Sequence, residues 1–191
     1  MPARPPRWKK LKLLGSLAVI LVMHPASGVA QEQPTEYQVK AAFLFNFVKF
    51  IEWPEESFRE NGGRIRLCVL GTDPFGPELQ RVVGGKSVNG HALELVHVDQ
   101  AGRSSHCHVL FVGSTQGGVL RKTMAELHGE PVLTVGESPE FIRQGGAIRL
   151  LLLDSHVRFE INLEAAEQAR LKVSSRLLAL AQSVRGGRGG G

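Results

Sequence analysis

Residues 65–76, IRLCVLGTDPFG, decide how the chain reads. Ile65–Leu70 is a short apolar run rich in β-forming residues, as expected of a strand buried on both faces. The glycine-bounded segment that follows turns the chain, with Asp73 placed to cap a helix and Pro74 at its first position. Phe75, Leu79, Val82 and Val83 give that helix its apolar stripe, and Gly84-Gly85 ends it. The turn is not a phosphate loop. It is neither GxGxxG nor a Walker A sequence, Pro74 lacks an amide donor, and Asp73 puts negative charge where an anion would sit.

The same alternation continues downstream. Leu93–Val98 (LELVHV) and Cys107–Val112 (CHVLFV) read as strands, and Ser114 or Thr115 caps a helix carrying Leu120, Met124 and Leu127, closed by Gly129. Pro131–Val135 is a fourth strand, and Ser138-Pro139 opens a short helix ending at Gly145-Gly146. Ala147–Leu153 and Val157–Ile161, joined across Asp154-Ser155-His156, form an antiparallel hairpin. Asn162 caps a helix over Leu163–Arg170, Leu171–Val173 is a break, and Ser174 caps a last helix through Val184. Strands separated by helices need crossover connections. The expected fold is therefore α/β: a single domain with a six-stranded, mostly parallel but mixed sheet, helices on both faces, and a C-terminal hairpin followed by helix.

Upstream lies Ala41–Pro54, AAFLFNFVKFIEWP, an extra N-terminal helix that the pattern extends from Glu36 to Trp53. Glu36 and Lys40 make an i,i+4 pair on it. Phe43, Phe47 and Phe50 follow one face, and Leu44, Val48 and Ile51 form a second apolar row. A helix with two apolar faces is either wedged between layers of its own fold or offers one face to a partner or a second copy. It falls short of the ~20 apolar residues that cross a bilayer.

The first 30 residues set the compartment. Arg4, Arg7, Lys9, Lys10 and Lys12 precede an apolar Leu13–Met23, and Gly28-Val29-Ala30 is a small-residue cleavage signal, so residues 1–30 read as a signal peptide cut after Ala30. Five of the 23 basic residues and none of the 18 acidic ones fall in that segment, leaving the mature chain 18 of each. A neutral mature chain gives no support to nucleic-acid binding. The mature domain is read as residues 31–184, followed by a disordered Gly/Arg tail at 185–191.

Cys68 and Cys107 are an even pair in an exported chain, which makes a disulfide the default. Closing a loop of about 40 residues stabilises the fold by roughly 4 kcal/mol in the chain-entropy model. The alternative, a metal held by His106-Cys107-His108, is disfavoured because neighbours on a strand point to opposite faces. No HExxH or GxSxG motif is present, and Asp154 and Glu160 are set apart by the hairpin end. Nothing assembles a nucleophile, base and oxyanion hole, so the sequence reads as a non-enzyme without cofactor or metal. What stands out is Glu160 and Asn162 in RFEIN, and Ser174-Ser175 in KVSSRLL. These polar residues in apolar company serve either as caps and hairpin partners or as a surface recognised by another molecule.

Taken in order, KAAFLFNFVKFIEWP at 40–54, LCVLGTDPFG at 67–76, CHVLFVG at 107–113, PVLTVGESPEFIRQGGAIRL at 131–150 and VRFEINLEAAEQARLKVSSRLLALA at 157–181 resemble the YfiR-like periplasmic family. The resemblance covers nearly the whole mature chain. It implies a six-stranded α/β domain exported to the periplasm of Gram-negative bacteria. It also implies a repressor that binds the periplasmic sensor domain of a membrane-bound diguanylate cyclase and is itself sequestered by an outer-membrane lipoprotein, controlling cyclic di-GMP and biofilm formation. Cys68 and Cys107 match one family disulfide, and a second pair found in some members is absent. The competing reading is a periplasmic small-ligand carrier or sensor feeding a histidine kinase or transporter, with its pocket at the strand ends near Gly71 or Gly113.

Overall fold

Ile65–Leu70 forms the strand at which the sheet reverses direction of growth. A computed structural model describes Met1 and residues 34–186, apart from 60, 100–105 and 115–116. The expected signal peptide, the Thr115 cap and most of the Gly/Arg tail lie outside the described residues. In chain order the elements are α1 (Glu36–Phe50), β1 (Ile51–Glu52), a 3-10 turn (Glu55–Phe58), β2 (Ile65–Leu70), α2 (Pro77–Val83), β3 (Ser87–Val88), β4 (His91–Val98), β5 (Val109–Val112), α3 (Gly117–Glu126), β6 (Leu133–Gly136), β7 (Ile148–Leu153), β8 (His156–Asn162), α4 (Leu163–Gln168), β9 (Lys172–Val173), α5 (Ser175–Leu180) and β10 (Ser183–Arg185). The main sheet runs β10-β8-β7-β6-β5-β2-β4-β3, and β1 pairs with β9 apart from it.

The chain leaves β2 for β4 on one side, crosses back to β5 on the other, and then adds β6 and β7, all parallel. This is doubly wound α/β topology, with its switch point between β2 and β5. β8 turns back antiparallel to β7. The class is mixed α/β as expected, but the sheet has eight strands where six were expected. The two added are short edges: β3, antiparallel to β4, and β10, parallel to β8.

Four element boundaries differ from the sequence reading, each for a local reason. The first helix ends at Phe50 and not Trp53, because Ile51-Glu52 pair with Val173-Lys172 and Trp53 Nε1 donates to the His108 carbonyl at 3.1 Å, which needs extended backbone. The second helix starts at Pro77 and not at Pro74, since Asp73 spends its carboxylate on the Phe75 amide (2.8 Å) and Gly76, at φ +53°, takes the N-cap position. Ser138–Gly145 is a series of turns, not a helix. The last helix stops at Leu180. There Ala181 turns extended and the Gln182 amide bonds the Phe159 carbonyl (2.8 Å), placing Ser183–Arg185 on the sheet edge, so ordered chain continues beyond the expected end at 184.

Alternate residues of the central strands feed two cores. Leu67, Val69, Val109, Phe111, Leu133, Val135, Ile148 and Leu150 face α1, α2 and α5. Cys68, Leu70, Leu110 and Val112 face the other way, against Leu120 and Leu127 on or just after α3. The Cys68–Cys107 disulfide lies in this second core, tying β2 to the residues that lead into β5. Beneath it, His108 is 1% exposed, with Nδ1 accepting from the Arg66 amide (3.1 Å) and its ring stacked on Phe58.

Burial holds the His108 imidazole down to a pKa of about 4, with the nearby charges of His91 and Arg66 adding to the shift. In an unfolded chain the ring takes a proton near pH 6.5. A lowered folded value makes the unfolded state the better proton acceptor. The contribution is therefore complete above pH 6.5 and is lost as pH falls from there to about 4, roughly 3 kcal/mol in all. Two outcomes follow. Urea unfolding of the native protein should lose about 1.5 kcal/mol between pH 6.5 and 5, and His108→Gln should flatten that interval while lowering stability at pH 7. Reducing the disulfide, or replacing both cysteines with alanine, should cost about 4 kcal/mol by the same measurement.

Candidate functional site

The chemistry-bearing side chains gather where α1 meets the carboxyl end of β6 and the start of β7. Thr35 caps α1 through a capping box with Gln38, fixing where the helix begins. One turn in, Lys40 is 4% exposed and its ammonium contacts two carboxylates, Glu36 on the same helix and Glu137 just after β6. Burial alone would lower the pKa of Lys40, but the hydrogen bonds and charges of Glu137 and Glu36 outweigh it and the net shift is upward. Tyr37, beside them, has its phenol pushed up by burial first and by the Glu137 charge second.

The network continues across the strands. Arg149 on β7 donates from Nε to the Glu137 carbonyl (3.3 Å) and from Nη1 to Glu160 Oε2 on β8 (3.1 Å). Arg149 and Glu160 are register partners, and both point to the side of the sheet away from α1. On that side Leu153, His156 and Arg158 are exposed, because α3 covers β2 and β5 but not the hairpin. The hairpin also outruns its neighbour: only Ile148 and Arg149 of β7 pair with β6, so Leu150–Leu153 have a partner strand on one side alone.

The residues singled out from the sequence separate into three groups. Leu44, Val48 and Ile51 are 0%, 1% and 2% exposed and belong to the chain's own core, so the helix is wedged and this row is not a surface. The outward residues of α1 are Asn46 and Lys49. Asn162 and Ser174 act as caps, accepting from the Ala165 and Arg176 amides at 3.3 and 3.2 Å. Ser175 is exposed on the first turn of α5, and Glu160 is the only one of the set in the strand-end network. The Glu36–Lys40 pair expected from the sequence is present, whereas sequence reading missed Glu137 and Arg149 and the burial of Lys40. The single available signal was a lysine on the apolar side of an aromatic helix, and its partner lies 97 residues away.

Of the two positions expected from topology, the β2–β5 crevice is closed, and space beside Gly113 is open on the β6 side. A Cβ on Gly113 would come within 2.0 Å of the Thr72 carbonyl oxygen, and the Gly113 amide bonds the Leu70 carbonyl (2.8 Å), so the crevice between β2 and β5 is filled by the chain itself. The open space lies one strand over, a cavity of about 360 Å³ beside the ends of β5 and β6, reached by Gly113, Glu137, Phe141 and Gln144. Among the described residues, no three His, Cys, Asp or Glu side chains converge as metal ligands.

Removing the ammonium at Lys40 would leave the partly exposed Glu36 and Glu137 carboxylates without their shared counter-charge. Lys40→Ala should cost about 1–2 kcal/mol in chemical denaturation, and Lys40→Ala combined with Glu137→Ala should recover part of that loss. A family model described as YfiR/HmsC-like matches residues 37–182, running from the first turn of α1 to the residue before β10.

Proposed function

The chain belongs to the YfiR/HmsC-like family, and from that premise we propose that it is a non-enzymatic regulator of the bacterial periplasm. It binds the periplasmic sensor domain of an inner-membrane signalling protein, a diguanylate cyclase, and so controls cyclic di-GMP and biofilm formation. The match over residues 37–182 carries this reading, since it takes in the core, the disulfide and the hairpin. An internal disulfide supports export, because such bonds persist in oxidising compartments. In this reading residues 1–30 are removed after Ala30, and an outer-membrane lipoprotein is a second partner that competes for the regulator.

The surface best suited to the cyclase is the outer side of the β7–β8 hairpin, around Leu153, Arg158 and Glu160. It combines an exposed apolar residue with charged groups of both signs and an unpaired strand edge, the features that give a docking patch both contact area and register. In this reading the α1 row Leu44, Val48 and Ile51 is core and takes no direct part.

The test is affinity capture of the exported protein, tagged after Gly191, from solubilised inner membranes. A diguanylate cyclase with a periplasmic domain should copurify, and Leu153→Asp with Arg158→Glu should cut its recovery at least about tenfold, a loss of the size expected at an interface hot spot, with the thermal midpoint unchanged. Undiminished recovery by the double variant would move the interface elsewhere. Absence of any such cyclase from the captured membrane proteins would overturn the regulatory reading.

A further inference from the structure

We infer that the cavity beside the ends of β5 and β6 is a binding site for a small organic amine with an apolar body. Its volume of about 360 Å³ falls within the range of small-molecule sites. Val112, Leu120 and Phe141, all buried, form an apolar wall. The Phe141 ring is held rigidly, because its two edges lie against Gly136 and Gly146: a Cβ on either glycine would fall 2.3 or 2.2 Å from ring atoms. A wall fixed in this way does not collapse into the space it borders.

Around that wall stand the Ser114 and Ser138 hydroxyls, the Glu137 and Glu140 carboxylates and the Gln144 amide. Gln144 lines the cavity, and its Oε1 is buried without a donor among the described residues. An acceptor left so costs free energy until a donor reaches it. Glu137 also borders the cavity, and it shares the single ammonium of Lys40 with Glu36, so two carboxylates face one cation. Glu140, at the rim, is met by Arg143, whose Nε lies 2.9 Å from Oε2. Among the described residues that line the cavity none is cationic. A protonated amine supplies what is missing: a donor for Gln144 and the second positive charge for the Glu36–Lys40–Glu137 cluster, with its carbon skeleton against Phe141 and Leu120. A carboxylate in the same place would be repelled by Glu137 and Glu140 with no lining cation to offset them. The site does not depend on the partner proposed above, although Glu137 links it to α1 through Lys40.

Titration calorimetry of the exported, disulfide-bonded protein with 2-phenylethylamine tests the assignment, with 2-phenylethanol and 3-phenylpropionate as neutral and anionic counterparts. The amine should bind saturably and at least about tenfold more tightly than either counterpart, the scale of one charge-assisted contact. Ser138→Trp, at the exposed rim, should abolish binding without lowering the thermal midpoint. Glu137→Gln should weaken the amine about tenfold and leave the alcohol unaffected. If Glu137→Gln does not fold, the rim variant and the neutral probe still decide the matter. No amine binding, equal binding of amine and alcohol, or full binding by Ser138→Trp would each overturn the proposal, and the first would leave water as the occupant of the cavity.

Discussion

The burial of α1 against the β7–β8 hairpin is the contact on which the rest of the fold depends. Phe43 and Phe47 meet Phe159 of β8 with ring centroids 5.6 and 5.2 Å apart, while Ala41, Leu44 and Val48 fill the opposite side of the helix. Each large side chain so buried is worth about 2 kcal/mol of removed apolar surface. The hairpin needs this cover. Beyond Arg149, β7 has lost β6 as a neighbour, and an isolated two-stranded ribbon is marginal in water. Helix and hairpin therefore hold one another, and Lys40, carried on the same helix, becomes the buried cation that fixes Glu137 over the strand ends.

The open space lies at the strand ends beside Gly113, on the β6 side of β5 and not in the β2–β5 crevice. In a doubly wound sheet the crevice at the switch point is open when the loops after the two diverging strands splay apart. Here the loop after β2 folds down onto Gly113, a position that tolerates it only because glycine has no side chain. The Asp73 carboxylate contributes by drawing in the Phe75 amide and the His97 ring (2.8 Å each), so the loop is pinned at its base. The disulfide joins Cys68, within β2, to Cys107, just before β5, and so ties the same two strands together. With β2 and β5 held to each other, a cavity opens beside the ends of β5 and β6.

On the proposed reading the chain acts through its surface and through what alters that surface. The exposed side of the hairpin and the cavity lie on opposite sides of Glu137. Its carbonyl takes Arg149, which pairs with Glu160, and its carboxylate takes Lys40 and borders the cavity. One residue thus connects the helix, the hairpin face and the cavity, and the two proposed functions share it as a physical joint.

Much of this was legible before any coordinates. Six strands, the order of helices between them, the hairpin at 147–161 and the caps at Asn162 and Ser174 follow from apolar runs, glycine punctuation and local side-chain bonding, all of which act over a few residues. The two cysteines, in an exported reading of the chain, pointed to the bond that the structure contains. The edge strands β3 and β10 were not legible, since two or three residues carry no period of their own and become strand only when a neighbour offers its open edge. Nor was the fate of the Leu44–Val48–Ile51 row, because an apolar stripe looks the same whether the surface it meets belongs to the same chain or another. The polar network was least visible of all: Lys40 and Glu137 are 97 positions apart, and only the packing of α1 over the ends of β6 and β7 puts them within reach. Short-range chemistry was written in the sequence, whereas contacts between distant segments were decided by the tertiary structure, because burial and charge pairing depend on which surfaces meet.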